Sequence, residues 1–137
     1  MKNINDILKE CAEAEGLCTY MYARIGEANY LMDSVKQYPV FLRQFNETIS
    51  ETSIDDRRTR TSTFFFCDAL GSAEPDTETE VKPVVDRMEN VAFSFISHLR
   101  RLGVQVERVT GATPFYGKFD ALVAGVSMTI TMTYNVC

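Results

Sequence analysis

Apolar and hydroxyl side chains alternate without a break over residues 126–134, near the C-terminal end of the sequence. The apolar positions are Val126, Met128, Ile130, Met132 and Tyr134, and the positions between them are Ser127, Thr129, Thr131 and Thr133. Because a β-strand turns successive side chains to opposite faces, this segment predicts a strand with one apolar and one hydroxyl face. We expect a central strand whose apolar face packs on the core and whose hydroxyl face meets solvent or a partner.

Two other segments carry a helical period of about 3.6 residues. Residues 4–15 form a short amphipathic pattern, with Asn3 placed to cap its start and Gly16 placed to end it. Residues 84–102 carry an apolar stripe across about five turns, and Gly103 follows them. We expect this longer helix to cover the apolar face of the alternating strand.

Strand-like segments and polar stretches fill the chain between the two helices. The composition predicts strands at 17–24, 38–45 and 57–67, and an irregular connection at 25–37, where no period is sustained. The polar residues 46–56 then form the turn of a long antiparallel hairpin that protrudes from the domain. A two-stranded ribbon hardly holds itself together in water, so we expect its tip to contact something else.

The closing part of the chain is predicted to add a strand at 104–110, a turn-rich segment at 111–120 and the final strand from about Leu122. The order of elements is then α-β-β-β-α-β-β. Because helices and strands do not alternate strictly, this order favours an α+β fold with a single mostly antiparallel sheet packed by two helices. A chain of 137 residues is the size of one domain, which we assign to residues 1–137.

Composition and charge exclude several classes of partner. The chain is 45% hydrophobic and 24% charged, with a formal net charge of -5. A nucleic-acid groove needs a basic footprint, so we expect no sequence-specific nucleic-acid binding. The N-terminus has no uninterrupted apolar region typical of a signal peptide, and no stretch is apolar enough to span a membrane. We therefore predict a protein without a membrane partner.

The sequence offers no catalytic or metal-binding pattern. His98 is its only histidine, and it lies within the longer predicted helix, where packing or surface exposure is the expected role. The four cysteines have no ligand-like spacing, and we expect reduced thiols, all but Cys137 packed as small hydrophobic residues. The glycines form no phosphate-binding loop. We predict that the protein is not an enzyme and has no catalytic residue, cofactor or metal.

Charged residues cluster in the predicted hairpin and raise the question of an interface. Three arginines follow two aspartates there, and in an acidic protein they are expected to pair with carboxylates of this chain or of an adjacent subunit, or to remain exposed. The hydroxyl face of the final strand suits plain solvent exposure, a lumen or a subunit contact equally. The predicted subunit interface consists of Asp55, Asp56, Arg57, Arg58, Arg60, Thr129 and Thr131.

The order of elements also resembles a known group of structural proteins. An N-terminal helix, the strand YPVFLR, a long charged hairpin, one long helix and the closing segment GKFDALVAGVSMTITMT are together similar to the tail-completion proteins of tailed bacteriophages. These are the tail terminator and related head–tail joining or minor tail proteins. The resemblance implies a ring-forming virion protein, commonly a hexamer, that caps or joins the tail tube. It also implies synthesis in the host cytoplasm, incorporation at the tail or head–tail junction, and contacts with itself and with other phage tail or connector proteins.

Two alternatives remain open at the level of the sequence. The first is a small α+β ligand-binding domain or enzyme with a pocket between the long helix and the sheet. Its polar groups would come from His98, Asp55 and Glu78. The second is an inhibitor or adaptor, encoded by a mobile element, that acts on a host factor.

Overall fold

The computed structural model describes residues 3–33, 35–51, 56–71, 74–116 and 122–135. In chain order the elements are α1 Ile4–Ala14, β1 Thr19–Ala23, α2 Ile25–Asp33, β2 Val40–Gln44, β3 Thr48–Glu51, β4 Arg57–Ala69, a π-helical turn Thr77–Val81, α3 Lys82–Arg101, β5 Gln105–Val109, β6 Thr113–Tyr116 and β7 Val123–Asn135. All the described strands belong to one sheet, which confirms the predicted α+β class.

The sheet is built around β4 and β7. Its main path runs β1-β2-β4-β7-β5, while β3 pairs with β4 and β6 pairs with β7. The β1–β2 pair is parallel and the other described pairs are antiparallel, as predicted for a mostly antiparallel sheet. The two long strands pair along their whole length, from Arg57 opposite Asn135 to Ala69 opposite Val123. At Gly125 they approach so closely that an added Cβ would lie 1.8 Å from the carbonyl oxygen of Phe66.

The apolar face of β7 is covered as the alternation predicts. All five apolar residues of that face are buried, and α3 packs across β4 and β7. At the centre, the ring of Phe95 from α3 lies 5.1, 5.7 and 5.4 Å from the ring centroids of Phe41, Phe64 and Phe66. Phe41 and Phe95 each contact the other three rings, and these four rings form the middle of the main core.

The ends of the helices follow the sequence signals. The Asn3 side chain accepts a hydrogen bond from the backbone N–H of Asp6, which caps α1. Gly16 follows α1 and Gly103 follows α3, both with positive φ, a conformation that glycine adopts without steric cost. The Asp76 carboxylate caps the π-helical turn that leads into α3. Of the described helices, none is both long and apolar enough to cross a membrane.

The predicted irregular connection at 25–37 was wrong, because its first part forms α2. This short helix packs on the face of the sheet opposite α1 and α3, where Ala28 and Met32 join Leu42 and Phe65 in a second apolar cluster. With only nine residues, the helix is too short for its apolar positions to sustain a period. The helix is instead stabilised by packing, which is usual for short helices. The sheet is therefore packed by three helices rather than the two predicted.

Two further differences concern short strands. Residues 113–116, within the predicted turn-rich segment, form β6, and its Pro114 is tolerated because β6 is an edge strand. Residues 48–51, within the predicted turn, form β3, which pairs with the first part of β4. There β4 also pairs with β7, so the charged half of β4 lies between two strands rather than in a free two-stranded ribbon.

Candidate functional site

A row of threonine pairs runs along one face of the β4–β7 ribbon. Thr59 pairs with Thr133, Thr61 with Thr131 and Thr63 with Thr129, with Oγ1–Oγ1 distances of 3.0, 3.2 and 3.0 Å. The antiparallel register places each pair directly opposite, and each pair shares one hydroxyl hydrogen bond. We call these six residues the threonine face.

The threonine face lies on the side of the sheet that α1 and α3 do not cover. Alternate residues of the same strands, such as Phe64 and Met128, belong to the core beneath α3. Thr129 and Thr131 are half-buried, so they are accessible at the surface but partly shielded by their neighbours. The predicted exposure of the hydroxyl side of β7 is thus found for these two residues, whereas Thr133 is buried.

Neighbouring strands widen this hydroxyl surface. Thr48 and Ser50 of β3 lie opposite Thr61 and Thr59, respectively, and therefore point to the same side of the sheet. Arg108 of β5 lies opposite Thr131 and adds a positive charge at the other margin. Four adjacent strands thus contribute, which at roughly 4.8 Å between strands gives a polar surface about 14 Å wide.

The predicted interface arginines are divided between the two sides of the sheet. Arg57 lies on the threonine side, where its Nη2 donates to Gln105 Oε1 at 3.0 Å. Arg58 and Arg60 alternate with it and point to the other side, in register with Tyr134 and Met132. Asp56 is exposed just before β4, and Asp55 lies outside the described residues. The structure therefore places Arg57 on the same side of the sheet as Thr129 and Thr131 but does not gather all three arginines into one cluster.

Arg60 belongs to a buried charge cluster within this chain. Its Nη1 donates to Glu47 Oε1 at 2.6 Å, and its Nε donates to the hydroxyl of Tyr134 at 3.0 Å. Arg43 holds the same carboxylate with two donors, at 2.7 and 2.9 Å, and Ser62 Oγ donates to it at 2.6 Å. The side chains of Glu47, Arg43 and Arg60 are only 2%, 3% and 11% exposed. We call these three residues the arginine–glutamate cluster.

The cluster keeps Glu47 ionised. Burial alone would raise the pKa of this carboxyl, but the hydrogen bonds from Arg43 and Ser62 and the charges of both arginines outweigh burial and hold the pKa below its usual range. For the Arg43 guanidinium, burial acts to lower the pKa, and the hydrogen bonds with Glu47 and Tyr20 reverse this effect and raise it. The cluster joins β2, the turn before β3 and the charged half of β4, so it holds these three segments of the sheet together.

His98 has a packing role, as its position in α3 predicts. Its Nε2 lies 2.7 Å from Glu15 Oε1, and Ser94 Oγ donates to the same oxygen at 2.6 Å. These contacts attach the end of α1 to α3. No group of three or more potential metal ligands occurs among the residues that the structure describes.

The cysteine predictions hold in part. Cys11, Cys18 and Cys67 are free thiols. Cys11 and Cys67 are buried as predicted, and burial raises the pKa of the Cys67 thiol to about 12, with a smaller contribution from Asp68. Cys18 is exposed, contrary to the prediction, because it lies in the turn between α1 and β1. Cys137 lies outside the described residues.

An open groove of about 690 Å³ lies between the start of α3 and β6. Val81, Val85, Pro114 and Tyr116 line it, with Glu78 among its charged residues. The groove is where the alternative ligand-binding hypothesis expects a pocket, and of its proposed polar groups Glu78 lines the groove, His98 does not, and Asp55 lies outside the described residues. His98 lies in the last turn of α3, about 14 Å along the helix beyond Glu89, the last groove residue of α3, and contacts α1 instead.

Comparison with known proteins identifies no relative of this chain. A scan against models of protein families finds no match, and a search of curated proteins finds no significant match either.

The sequence revealed only half of the threonine face. The hydroxyl alternation in β7 predicts one row of the face, whereas its partner row, Thr59, Thr61 and Thr63, is predicted only as the polar start of a hairpin strand. The signal was present as a second T-x-T-x-T pattern in RRTRTST, which matches MTITMT in β7. Glu47 was missed as well, because its contacts with Arg43 and Arg60 depend on strand pairing that no local pattern shows.

Proposed function

We propose that this protein is a structural subunit of a tailed-bacteriophage virion, a tail terminator, tail-completion or head–tail joining protein that assembles into a ring. The observation that supports the proposal best is the threonine face, a broad and regular part of the sheet that none of the described helices covers. Such a surface is suited to lie against another subunit or along a lumen.

The chemistry of the face agrees with this use. Within each pair one hydroxyl donates to the other, and the second hydroxyl keeps a hydrogen that an acceptor on a neighbouring subunit can take in place of water. At the same time the face lacks the large apolar patch that would make an unassembled subunit aggregate. A subunit that must stay dispersed before assembly and then pack closely benefits from both properties.

Charged residues at the start of β4, in the β3–β4 hairpin, extend the proposed interface. Thr129, Thr131 and Arg57 lie on one side of the sheet, with Asp56 at the adjoining end of β4 and Arg58 on the reverse side. The arginine–glutamate cluster holds Arg60 within the chain, so this residue supports the interface by fixing the hairpin. Charged residues at the margin of a polar contact contribute mainly to selecting the partner and its register.

The order of elements also supports the proposal. The N-terminal helix, the strand within YPVFLR, the hairpin, the long helix and the closing strand are all present as elements of the fold. They are the features through which the chain resembles tail-completion proteins. The partners proposed are therefore further copies of this chain, commonly six in a ring, and other tail or connector proteins.

The proposal is tested by electron microscopy of particles from a phage that carries this gene, with and without a null allele. We expect the null phage to produce tails of abnormal length or heads and tails that fail to join, and expression of the protein in trans should correct the defect. Normal tails of normal length joined to heads in the null phage would overturn the proposal.

A further inference from the structure

The outward face of α3 carries an ordered set of side chains that the core does not use. The inward face supplies Met88, Ala92, Phe95 and Leu99 to the main core. The outward positions Asp86, Glu89, Phe93, Ser97 and Arg100 are all exposed. Phe93 is the one large apolar residue among these five. It is 47% exposed and lies in the middle of an otherwise polar face.

The spacing of these residues places them along one line. Asp86, Phe93 and Arg100 are separated by seven residues each, which is nearly two full turns, so each step rotates by only about 20° around the helix. Asp86 and Arg100 therefore lie about 10 Å on either side of Phe93 and on the same face. Glu89 and Ser97 flank Phe93 in the same way, one turn away in each direction.

This arrangement is self-complementary in one orientation only. If a second α3 lies antiparallel and centred on Phe93, Arg100 of each copy lies opposite Asp86 of the other, and Ser97 lies opposite Glu89. In a parallel arrangement Asp86 would lie opposite Asp86 and Arg100 opposite Arg100, and like charges placed opposite each other are unfavourable.

We propose that two copies of this chain associate through α3, antiparallel about a two-fold axis that passes between the two Phe93 rings. Each copy uses the same residues in such an isologous contact, so the pairing closes at two subunits. The two aromatic rings supply the buried centre of the contact, and the Asp86–Arg100 pairs at its ends set the register.

The expected dimer is weak. One helix face buries less area than the roughly 1,200–2,000 Å² of a standard stable interface, and we expect a dissociation constant on the order of 100 µM. Asp86 also contacts Lys82 of its own helix, at 2.7 Å, but its side chain remains 51% exposed and can accept from a second cation. The charge pairs are exposed, so the association should weaken as salt is added.

The pairing does not depend on the proposed virion function. The helix α3 and the threonine face lie on opposite sides of the sheet, so a dimer through α3 leaves the threonine face uncovered. Free subunits would then be held in pairs without blocking ring assembly. If either proposal fails, the other still stands, because the tests of the two proposals substitute different residues.

The first test is sedimentation equilibrium of the purified chain at low ionic strength, over concentrations from well below to well above the expected dissociation constant. We expect a monomer–dimer equilibrium in the unmodified protein. Asp86→Arg and Arg100→Asp should each abolish the dimer, because each places like charges opposite one another at both ends of the contact. The double variant Asp86→Arg/Arg100→Asp should restore it, because both pairs are then reversed within the same chain.

Aromatic removal tests the centre of the contact. Phe93→Ser should raise the dissociation constant about tenfold or more, as expected for the central residue of a small interface. The matched control is Phe45→Ser, which removes another exposed aromatic ring, 57% exposed, away from α3 and should leave the dimer unchanged.

A cysteine at the axis tests the symmetry directly, in a background with Cys18→Ser and Cys137→Ser. Phe93→Cys should form a disulfide between two copies under mild oxidation. The control Ser97→Cys should not, because the two copies of that residue would lie about 12 Å apart along the helix axis, beyond disulfide reach.

A monomer at every concentration, a dimer that survives both single charge reversals, or a double reversal that fails to restore it would each overturn the proposal. Equal cross-linking at positions 93 and 97 would overturn the antiparallel register. Circular dichroism of each variant establishes that a lost dimer is not a lost fold.

Discussion

The two faces of the β4–β7 ribbon are made by alternate residues of the same strands, yet they are stabilised in different ways. On the α3 side, Phe64 and Phe66 pack around Phe95 and are fully buried. On the other side, Thr61 and Thr63 hydrogen-bond across to Thr131 and Thr129 and remain half-exposed. The backbone pairing is continuous through both regions.

The difference indicates which face maintains the fold and which is free for contacts. Apolar burial stabilises in proportion to the area removed from water, whereas a hydroxyl pair exchanges bonds with water and contributes little net free energy. A protein can therefore vary the threonine face with small effects on folding. The same substitutions would be severe on the α3 side.

The largest effect on the free energy of unfolding is expected for Phe95→Ala. This fully buried ring contacts three other phenylalanine rings, and its removal leaves a cavity at the centre of the main core. We expect the free energy of unfolding to fall by about 3–5 kcal/mol, measured by urea denaturation. A loss below about 1 kcal/mol would show that α3 does not form the main cover of the sheet.

A comparable but smaller loss is expected for Glu47→Ala. The substitution leaves the guanidinium groups of Arg43 and Arg60 in the interior without their common carboxylate. Breaking a buried ion pair from one side typically costs about 3 kcal/mol or more. Urea denaturation gives the loss, and the control is Asp86→Ala, which removes an exposed carboxylate paired with Lys82 and should change stability by less than about 1 kcal/mol.

The arginine–glutamate cluster also predicts a dependence on pH. The pKa of Glu47 is lowered in the folded state, so its stabilising contribution is fully present above the unfolded value of about 4.3 and is lost as the pH falls through the folded value. The difference in unfolding free energy between the unmodified protein and Glu47→Gln should therefore shrink as the pH is lowered from about 5 to about 2. A difference that stays constant over this range would contradict the assignment of an ionised Glu47.

The smallest effect on the free energy of unfolding is expected for substitutions on the threonine face. The double variant Thr61→Val/Thr131→Val removes both hydroxyls of one pair and keeps their shape, so no donor is left without an acceptor. We expect a change in unfolding free energy below about 1 kcal/mol. A loss similar to that of Phe95→Ala would mean that this face is part of the core after all.

The sequence predicted the parts of the fold whose signals are local. The alternation over 126–134 gave the central strand and its buried face, and the stripe over 84–102 gave the helix that covers it. The helix α2 and the strand β3 were missed, because both are short and depend on packing or pairing with distant residues. With nine residues in α2 and four in β3, their own sequences are too short to establish a period.

The candidate functional site was likewise predictable only where its signal is local. Thr129 and Thr131 were identified from the pattern within one strand, but their partners Thr63 and Thr61 required the register between β4 and β7. The sequence grouped Arg57, Arg58 and Arg60 by their closeness along the chain. Strand geometry separates them, because neighbouring residues of a strand point to opposite faces.

The central claim, that the threonine face is an assembly surface, is tested most directly by complementing the null phage with Thr129→Asp/Thr131→Asp and measuring tail lengths in electron micrographs. Lys9→Glu on the exposed side of α1 changes the net charge by the same amount and serves as the control. We predict that the control restores normal, head-joined tails and that the double variant, folded by circular dichroism, does not. A folded double variant that restores normal tails as well as the unmodified protein does would contradict the account.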